Sequence, residues 1–170
     1  LKELLEKTSF AMAHQDVRYY LNGLFLKVGA KGIVAVATDG HRMAKLEHEL
    51  GLPIENEIQI IVPRKTVLEL ARLLDPSKDP VRIDLSDRAL RAVVGDCVLT
   101  SKLVDGRYPD YQRVIPLRAD KVATVDRASL KTSLLRTSIL SNEKYKGIRL
   151  GFQADSLTLQ AHNPEQEEAE

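Results

Sequence analysis

Apolar residues recur along this chain at two spacings, one typical of helices and the other typical of strands. Spacings of three and four residues predict helices at residues 1–13, 66–74 and 128–140. Alternation of apolar and polar positions, interrupted by turn residues, predicts a series of short strands. These strands fall at residues 24–28, 33–38, 42–50, 58–62, 81–85, 89–94, 98–103, 122–125, 148–152 and 157–161.

The same pattern occurs twice, in segments 124 residues apart. Gly23 corresponds to Gly147 and Ala37 to Ala161, and each copy has two apolar alternations separated by a turn. A helical segment precedes each copy. An offset of this length is the size of a domain, whereas solenoid repeats are about 20–50 residues long. We therefore expect tandem domains of one fold, with the second cut short at Glu170.

One complete unit contains a helix, three strands, a second helix and three further strands. Groups of neighbouring strands separated by isolated helices are typical of α+β folds with antiparallel sheets. We therefore predict an α+β fold in which each domain packs two helices on antiparallel sheets. The predicted domains are residues 1–117 and 118–170, with a linker at residues 115–120 and Asp126 as the N-cap of the last helix.

The composition is that of a globular protein. Apolar residues make up 44% of the chain, and no run of about 18 apolar residues predicts a membrane span. Cys97 is the only cysteine, so no disulfide forms within the chain, and we expect a cytoplasmic protein with a buried thiol. Because the first residue is Leu1 and no signal peptide is present, we expect a fragment of a longer protein.

The net charge of +1 conceals an uneven distribution. Four of the 24 acidic residues are glutamates within the last six positions, so residues 1–164 carry five more basic than acidic side chains. An excess of this size permits weak, non-specific contact with a polyanion but does not identify a nucleic-acid-binding protein. The sequence also has no glycine-rich phosphate-binding motif, which argues against an NTPase.

The turn at residues 38–43 has the densest group of chemically distinctive side chains. Its sequence is Thr-Asp-Gly-His-Arg-Met, and three interpretations remain open. Asp39 and His41 suit an acid–base pair or a metal site, although no spaced histidine motif supplies the further ligands that a metal needs. A tight turn that displays His, Arg and an adaptable Met also suits peptide recognition. The third interpretation is a plain hairpin turn in which His41 bonds to a backbone carbonyl.

The loop at residues 105–111 is aromatic in a chain that is otherwise poor in aromatic residues. It contains Pro109 between two tyrosines, Tyr108 and Tyr111. Proline and tyrosine form rigid apolar walls that lose little entropy on binding. A loop whose tyrosine rings pack inward is the competing interpretation.

Two basic segments indicate contact with a polyanion, each with a simpler alternative. Arg18, Tyr19 and Tyr20 precede a strand, where they suit phosphate contact and base stacking or, alternatively, packing in the core. Arg64 and Lys65 begin a helix, where cations are unfavourable beside the positive end of the helix dipole. A polyanion nearby would offset that cost, and a solvated helix end is the simpler alternative.

Six stretches of sequence, spread over the whole chain, carry a resemblance to a known family. They are SFAMAHQDVRYYLNG at 9–23, VATDGHR at 36–42, VPRK at 62–65, TSKLVDGRYPDY at 100–111, ILSNEK at 139–144 and NPEQEEAE at 163–170. In this order they resemble the bacterial DNA polymerase III beta subunits, the replicative sliding clamps. The resemblance implies the DNA-clamp fold, with most of the middle domain, lacking its first strand, followed by the first half of the third domain.

The resemblance implies a peptide-binding pocket. In the family this pocket lies between the second and third domains and binds short motifs of polymerases, the clamp loader and repair proteins. The matching positions here are Arg18, Leu21, Thr38, Gly40, His41, Arg42, Met43, Pro109 and Val114. Met43 stands where leucine is common in the family, a difference that conserves volume. The remaining wall comes from a part of the third domain that is absent from this sequence.

The resemblance also implies a head-to-tail homodimeric ring around double-stranded DNA, with helices lining the hole. The matching DNA-facing positions are Gln15, Tyr19, Tyr20, Arg64 and Lys65. A sliding clamp is a non-catalytic accessory subunit, so we expect no catalytic residue, no cofactor and no metal site. Because the faces that close the ring lie outside this sequence, we expect that these residues alone do not form it.

Two alternatives to a sliding clamp remain at this stage. A peptide-binding adaptor that does not encircle DNA would keep the pocket around His41 and Pro109 but show no salt-dependent contact with DNA. A small hydrolase that uses Asp39, His41 and Asp110 would lose turnover in a His41→Ala variant. Peptide titration separates the hydrolase from the other two, and DNA mobility at low and high salt separates those two.

Overall fold

The computed structural model describes residues 1–51, 54–75, 80–116, 120–141 and 147–161. The chain divides into two compact units, Leu1–Ile115 and Pro116–Glu170. The predicted domain boundary between residues 117 and 118 lies outside the described residues, as do the polar loop at residues 142–146 and the motif at 163–170. None of the described helices is long and apolar enough to cross a membrane.

The first unit contains two helices and seven strands among its described residues. They are α1 (Lys2–Thr8), β1 (Gly23–Gly29), β2 (Gly32–Thr38), β3 (Met43–Glu49), β4 (Ile58–Pro63), α2 (Arg64–Leu73), β5 (Arg82–Leu85), β6 (Ala89–Val94) and β7 (Cys97–Lys102). Every strand pair is antiparallel, in one sheet of order β3-β2-β1-β4 and another of order β5-β6-β7. This architecture confirms the predicted α+β fold.

The first helix is shorter than the predicted helix at residues 1–13. Thr8 is its last residue, and a short 3-10 turn, Ser9–Ala11, follows. The Thr8 hydroxyl donates a hydrogen bond to the Leu4 carbonyl, which satisfies this buried polar side chain within the last turn. Met12 and Ala13 are nevertheless buried, so their apolar character reflects burial in the core and not helical periodicity.

Strand β1 is buried on both faces and therefore joins two apolar clusters. On one face, Leu24 and Leu26 belong to a cluster that includes residues of both helices. On the other face, the ring of Phe25 stacks on that of Tyr108, with centroids 5.0 Å apart. We call this second group the aromatic cluster; it consists of Ala13, Leu21, Phe25, Val34, Val36, Ile61, Tyr108 and Tyr111. Burial of each large side chain contributes about 1.5–3 kcal/mol.

The second unit contains one helix and one hairpin among its described residues. They are α3 (Arg127–Ser138), β8 (Ile148–Phe152) and β9 (Leu157–Ala161). Asp126 caps α3 as predicted, because its Oδ1 accepts hydrogen bonds from the backbone amide and hydroxyl of Ser129 at 2.8 and 2.7 Å. The predicted strand at residues 122–125 is not formed. No described strand pairs with it, and a strand requires a partner for its ladder.

The single cysteine is exposed, so the prediction of a buried thiol is wrong. Cys97 is the first residue of β7, which is an edge strand of its sheet. A residue in that position has a neighbouring strand on one side only. The apolar alternation of the sequence predicts the strand but does not distinguish an edge strand from a central one.

Candidate functional site

The turn between β2 and β3 is held together by its own side chains. The carboxylate of Asp39 accepts hydrogen bonds from the backbone amides of His41 and Arg42 at 2.9 and 3.0 Å, and from Arg42 Nε at 3.1 Å. Thr38 Oγ1 donates to the Arg42 carbonyl at 2.7 Å and accepts from the Gly40 amide at 3.1 Å. Side chains of this kind stabilise turns by replacing backbone partners. The turn is therefore pre-organised, with the His41 side chain exposed.

Asp39 serves this turn as a hydrogen-bond acceptor. Burial opposes the ionisation of its carboxyl group, but the hydrogen bonds from His41 and Arg42 outweigh burial and lower its pKa. Asp110, the second carboxylate of the hydrolase alternative, pairs with Arg113 at 3.0 Å. The described residues contain no group of three or more His, Cys, Asp or Glu side chains that could hold a metal ion. Both carboxylates are thus engaged in local structure, which gives the hydrolase alternative no support.

Arg18 lies beside this turn and is fixed there by Asp16. Its Nε and Nη2 donate to the Asp16 carboxylate at 3.0 and 2.8 Å, and Nη2 also reaches the Asp39 carbonyl at 3.4 Å. The hydrogen bonds from Arg18 lower the pKa of Asp16 to about 2. Gly40 has a φ of +89°, and a Cβ at this position would lie 3.1 Å from Arg18 Nη2. Glycine therefore permits both the turn and the close approach of the guanidinium group.

Arg42 connects the turn to the segment that follows α1. Its Nη2 donates to the Phe10 carbonyl at 3.0 Å, and its guanidinium carbon lies 5.6 Å from the centroid of the Phe10 ring. This is a cation–π contact at a ring that is still 58% exposed. Phe10 and Asp16 are site residues that the sequence analysis missed. The two-residue spacing of Asp16 and Arg18 in the sequence could have indicated Asp16. No local pattern indicated Phe10.

Three apolar residues of the predicted pocket, Leu21, Met43 and Pro109, share one buried support. Leu21 belongs to the aromatic cluster, and Met43, the first residue of β3, packs against it while partly buried. Tyr108 and Tyr111 of the same cluster anchor the loop that carries the exposed Pro109. The loop tyrosines therefore do pack inward, and in doing so they hold the loop on the support of Leu21 and Met43.

Val114 is the predicted pocket residue that the structure does not bring to this support. It is 70% exposed and belongs to neither apolar cluster, although its neighbour Ile115 packs against the aromatic cluster. It ends the short 3-10 turn Tyr111–Val114, so its direction is set by that turn. Its place in a pocket stays a prediction.

Tyr108 carries a buried hydroxyl group that has no hydrogen-bond partner. The oxygen lies near the backbone of Thr38, but the two groups do not complete a hydrogen bond. Burial raises the pKa of the Tyr108 hydroxyl to about 12. A polar atom is thus buried close to the first residue of the turn, a feature that the spacing of tyrosines in the sequence does not reveal.

The predicted DNA-facing residues Gln15, Tyr19 and Tyr20 lie in one closed loop. The amide of Ala13 donates to the carbonyl of Leu21 at 3.0 Å and closes the loop at its base. The side-chain amide of Asn22 makes two hydrogen bonds with the backbone of Asp16, each 2.9 Å long. The loop is therefore fixed by polar contacts at its base and at Asp16. Gln15 adopts a left-handed conformation, with a φ of +58°, and is exposed.

The two tyrosines of this loop have different surroundings. The Tyr19 ring is 57% exposed, whereas Tyr20 is partly buried against the aromatic cluster. The two rings meet edge to face, with centroids 5.9 Å apart. Tyr20 thus packs against the core, and the exposed ring of Tyr19 is available to a ligand. Of the two interpretations that the sequence left open, core packing applies to Tyr20 and ligand contact to Tyr19.

Helix α2 begins with the two predicted cations. Pro63 is its N-cap residue, so Arg64 and Lys65 are the first helical residues, and no acidic residue lies in the first turn. Arg64 Nη1 donates to the Met12 carbonyl at 3.4 Å, which brings this side chain next to the start of the Gln15 loop. Lys65 is exposed and forms no ion pair with any described residue.

Comparison with known proteins places this architecture in a class. The chain matches the models of two successive domains: DNA polymerase III beta subunit, central domain, over residues 1–110, and DNA polymerase III beta subunit, C-terminal domain, over residues 112–170. Tandem domains of this kind define a clamp-type protein. The chain belongs to the DNA polymerase III beta subunit family, which confirms the resemblance seen in the sequence.

Individual relatives agree with this assignment. The beta sliding clamp of Pseudomonas putida is 54% identical over 170 residues, covering 100% of this chain and 46% of that protein. A crystal structure of the DNA polymerase III subunit beta from Pseudomonas aeruginosa has a TM-score of 0.94 at 52% identity, covering 99% of this chain and 46% of that chain. A sliding clamp from the same species bound to griselimycin has a TM-score of 0.91, with the same identity and coverage. The chain spans about half the length of the relatives it matches.

Proposed function

We propose that the protein containing this chain is a sliding clamp, a DNA polymerase processivity factor that encircles double-stranded DNA as a homodimeric ring. The proposal is carried by one observation: in a chain of the beta subunit family, the pre-organised turn at residues 38–43 and the loop of Pro109 share one buried support. The ring would act in the cytoplasm, where it would tether DNA polymerase, the clamp loader and repair proteins.

The turn suits the capture of short peptides. Its hydrogen bonds exist before any partner arrives, so binding sacrifices little conformational freedom of the protein. Leu21, Met43 and Pro109 offer apolar contact, and His41 offers a polar one. The guanidinium groups of Arg18 and Arg42 are already paired with carboxylates. A peptide with apolar anchors and little net charge is therefore the ligand that this surface fits best.

The proposed activity involves no bond-making step, so the chain would belong to a non-catalytic accessory subunit. A polymerase bound to a ring stays at a high effective concentration beside its template. The ring must slide, which requires phosphate contacts that are weak and easily exchanged. The exposed Gln15, Tyr19 and Lys65 and the partly exposed Arg64 suit such contacts.

The test of this proposal measures the processivity of the matching polymerase on a primed circular template, using the full-length protein that contains these residues. We expect the protein to lengthen the products, and we expect His41→Ala to weaken both this effect and the binding of a clamp-binding peptide. His48→Ala is the matched control, because His48 is an exposed histidine on β3 that contacts Glu3 at 3.2 Å, outside the proposed pocket residues.

Three results would change the assignment. Products of equal length with and without the protein would refute the sliding-clamp proposal. Peptide binding without any salt-dependent contact with DNA would support the adaptor alternative instead. Equal losses in His41→Ala and His48→Ala would show that the turn is not the peptide site.

A further inference from the structure

Arg107 is an exposed cation that the predicted site does not include. It lies on the loop between β7 and the 3-10 turn Tyr111–Val114 and forms no ion pair with any described residue. Its side chain lines three adjoining grooves of the first unit. One of these grooves, with a volume of about 480 Å³, is lined by Tyr20, Arg107, Tyr108, Pro109, Asp110 and Arg113.

The residue before Arg107 brings it close to a tyrosine of the predicted DNA-facing loop. Gly106 has a φ of +134°, a conformation that other residues rarely adopt. A Cβ at this position would lie 3.4 Å from the hydroxyl oxygen of Tyr19. Tyr19 in turn contacts Tyr20, which shares the groove with Arg107. The fold therefore places Arg107 in one groove with Tyr20, and the residue before it against Tyr19.

The charges around this groove leave Arg107 unneutralised. Arg18, Arg42 and Arg113 each pair with a carboxylate, at 2.8, 3.1 and 3.0 Å. Asp87 and Asp105 share a larger groove with Arg107, yet neither forms an ion pair with it. In the described part of the chain, an arginine without a carboxylate partner thus lies on the loop whose Gly106 approaches the exposed ring of Tyr19, a combination suited to nucleic-acid contact.

We propose that Arg107 binds a phosphate group of DNA and extends the DNA-facing surface from Tyr19 and Tyr20 onto the loop at residues 105–110. A guanidinium group matches phosphate oxygens with two parallel hydrogen bonds, and no internal carboxylate has to be displaced first. This inference rests on the proposed function, since it assumes that the protein contacts DNA. It adds to the DNA-facing set a residue and a loop to which the family resemblance gave no contact with DNA.

The test measures the affinity for a short labelled duplex of mixed sequence by fluorescence anisotropy over a series of KCl concentrations. Loss of one phosphate contact lowers the slope of log K against log salt by about 0.9 in magnitude. We expect this change in Arg107→Gln. Arg91→Gln is the matched control, because Arg91 is an exposed arginine on β6 whose partner is Asp84 at 3.7 Å, and it should keep the full slope.

A second variant separates the effect of the position of Arg107 from the effect of its charge. Gly106→Ala retains Arg107 but disturbs the backbone and the contact with Tyr19, so we expect part of the slope to be lost. Urea denaturation of each variant checks that the fold persists; replacing an exposed, unpaired arginine should leave the urea midpoint unchanged.

The outcomes distinguish this inference from the proposed function. Wild-type binding that depends on salt, together with an unchanged slope in Arg107→Gln, would overturn the role of Arg107 and leave the clamp proposal intact. An equal loss of slope in Arg91→Gln would indicate a general effect of charge and would also overturn it. A wild-type protein without salt-dependent DNA binding would overturn both.

Discussion

At the scale of single residues, the Tyr108 hydroxyl is a polar group buried in the aromatic cluster, close to the turn at residues 38–43. A buried polar atom without a partner costs about 1–3 kcal/mol of desolvation. Tyr108→Phe removes this atom and keeps the ring that stacks on Phe25, so we expect the free energy of unfolding to rise by about 1 kcal/mol. Urea denaturation measures the change. Tyr111→Phe is the control, and a gain of the same size there would argue against the explanation.

The same hydroxyl predicts a signature at high pH. Burial raises the pKa of Tyr108 to about 12, from an ordinary value of 10.0. A group with a raised pKa in the folded state stabilises the fold while it is protonated. This contribution is complete below about pH 10 and is lost as the pH rises towards 12. An absorbance titration should show one tyrosine that ionises last, and Tyr108→Phe should lack it. Simultaneous ionisation of every tyrosine near pH 10 would contradict the burial.

Gly40 shows how one backbone conformation supports the turn. Alanine at this position would be strained at a φ of +89° and would carry a Cβ only 3.1 Å from Arg18 Nη2. We expect Gly40→Ala to lose about 1–3 kcal/mol of stability and to bind peptide more weakly, because Arg18 must move. Thermal unfolding and peptide titration measure the two effects. In Gly51→Ala, the matched control, the added Cβ meets nothing within 4 Å, and both quantities should stay unchanged.

Sequence reasoning found the residues of this turn but not the contacts that hold it. Thr38, Asp39 and Gly40 are typical turn residues, so the sequence alone indicated the turn. The side chains of Arg18 and Arg42 reach partners elsewhere in the fold, and no local pattern predicts the direction of a long side chain. The approach of Gly106 to Tyr19 likewise depends on how two distant loops meet.

At the scale of elements, periodicity predicted the helices and most strands, and it failed where tertiary context decides. The apolar residues Met12 and Ala13 fit a helical stripe but are buried after the helix has ended. Residues 122–125 alternate as a strand does, yet no described strand pairs with them. A pattern of apolar positions reports burial and spacing, but it contains no information on which partner completes a ladder.

The exposed cysteine gives a direct test of the edge position of β7. Cys97 should react with a thiol reagent in the folded protein at a rate close to that in urea, because neither burial nor a second neighbouring strand protects it. Absorbance of the released thiolate measures the rate. Cys97→Ser should abolish the signal without changing stability. A reaction that required unfolding would restore the original prediction of a buried thiol.

At the scale of the whole molecule, the two units bury equivalent positions to different extents. Leu26 of β1 is buried in the core, whereas Leu150, its counterpart in the repeat, is exposed. All buried apolar residues among those described lie in the first unit. The repeat was visible in the sequence, but the difference in burial was not, because burial depends on what packs against each copy.

This difference predicts unequal protection from hydrogen exchange. We expect the amides of β1 and β2 to exchange more slowly than those of β8 and β9, since opening the first unit exposes a much larger apolar core. Mass spectrometry of peptides from the two hairpins measures the rates in one sample, so each hairpin is a control for the other. Equal protection in the two would contradict the burial seen here.

The pairing of Arg18 with Asp16 and of Arg42 with Asp39 has a further consequence for the proposed ring. A protein that holds partners beside a nucleic acid exposes its docking surface to a high local concentration of phosphate. Because both guanidinium groups already hold a carboxylate, a phosphate gains little by replacing it. In the proposed ring, internal neutralisation would therefore keep phosphate away from the turn, and partners could exchange there while the DNA stayed enclosed.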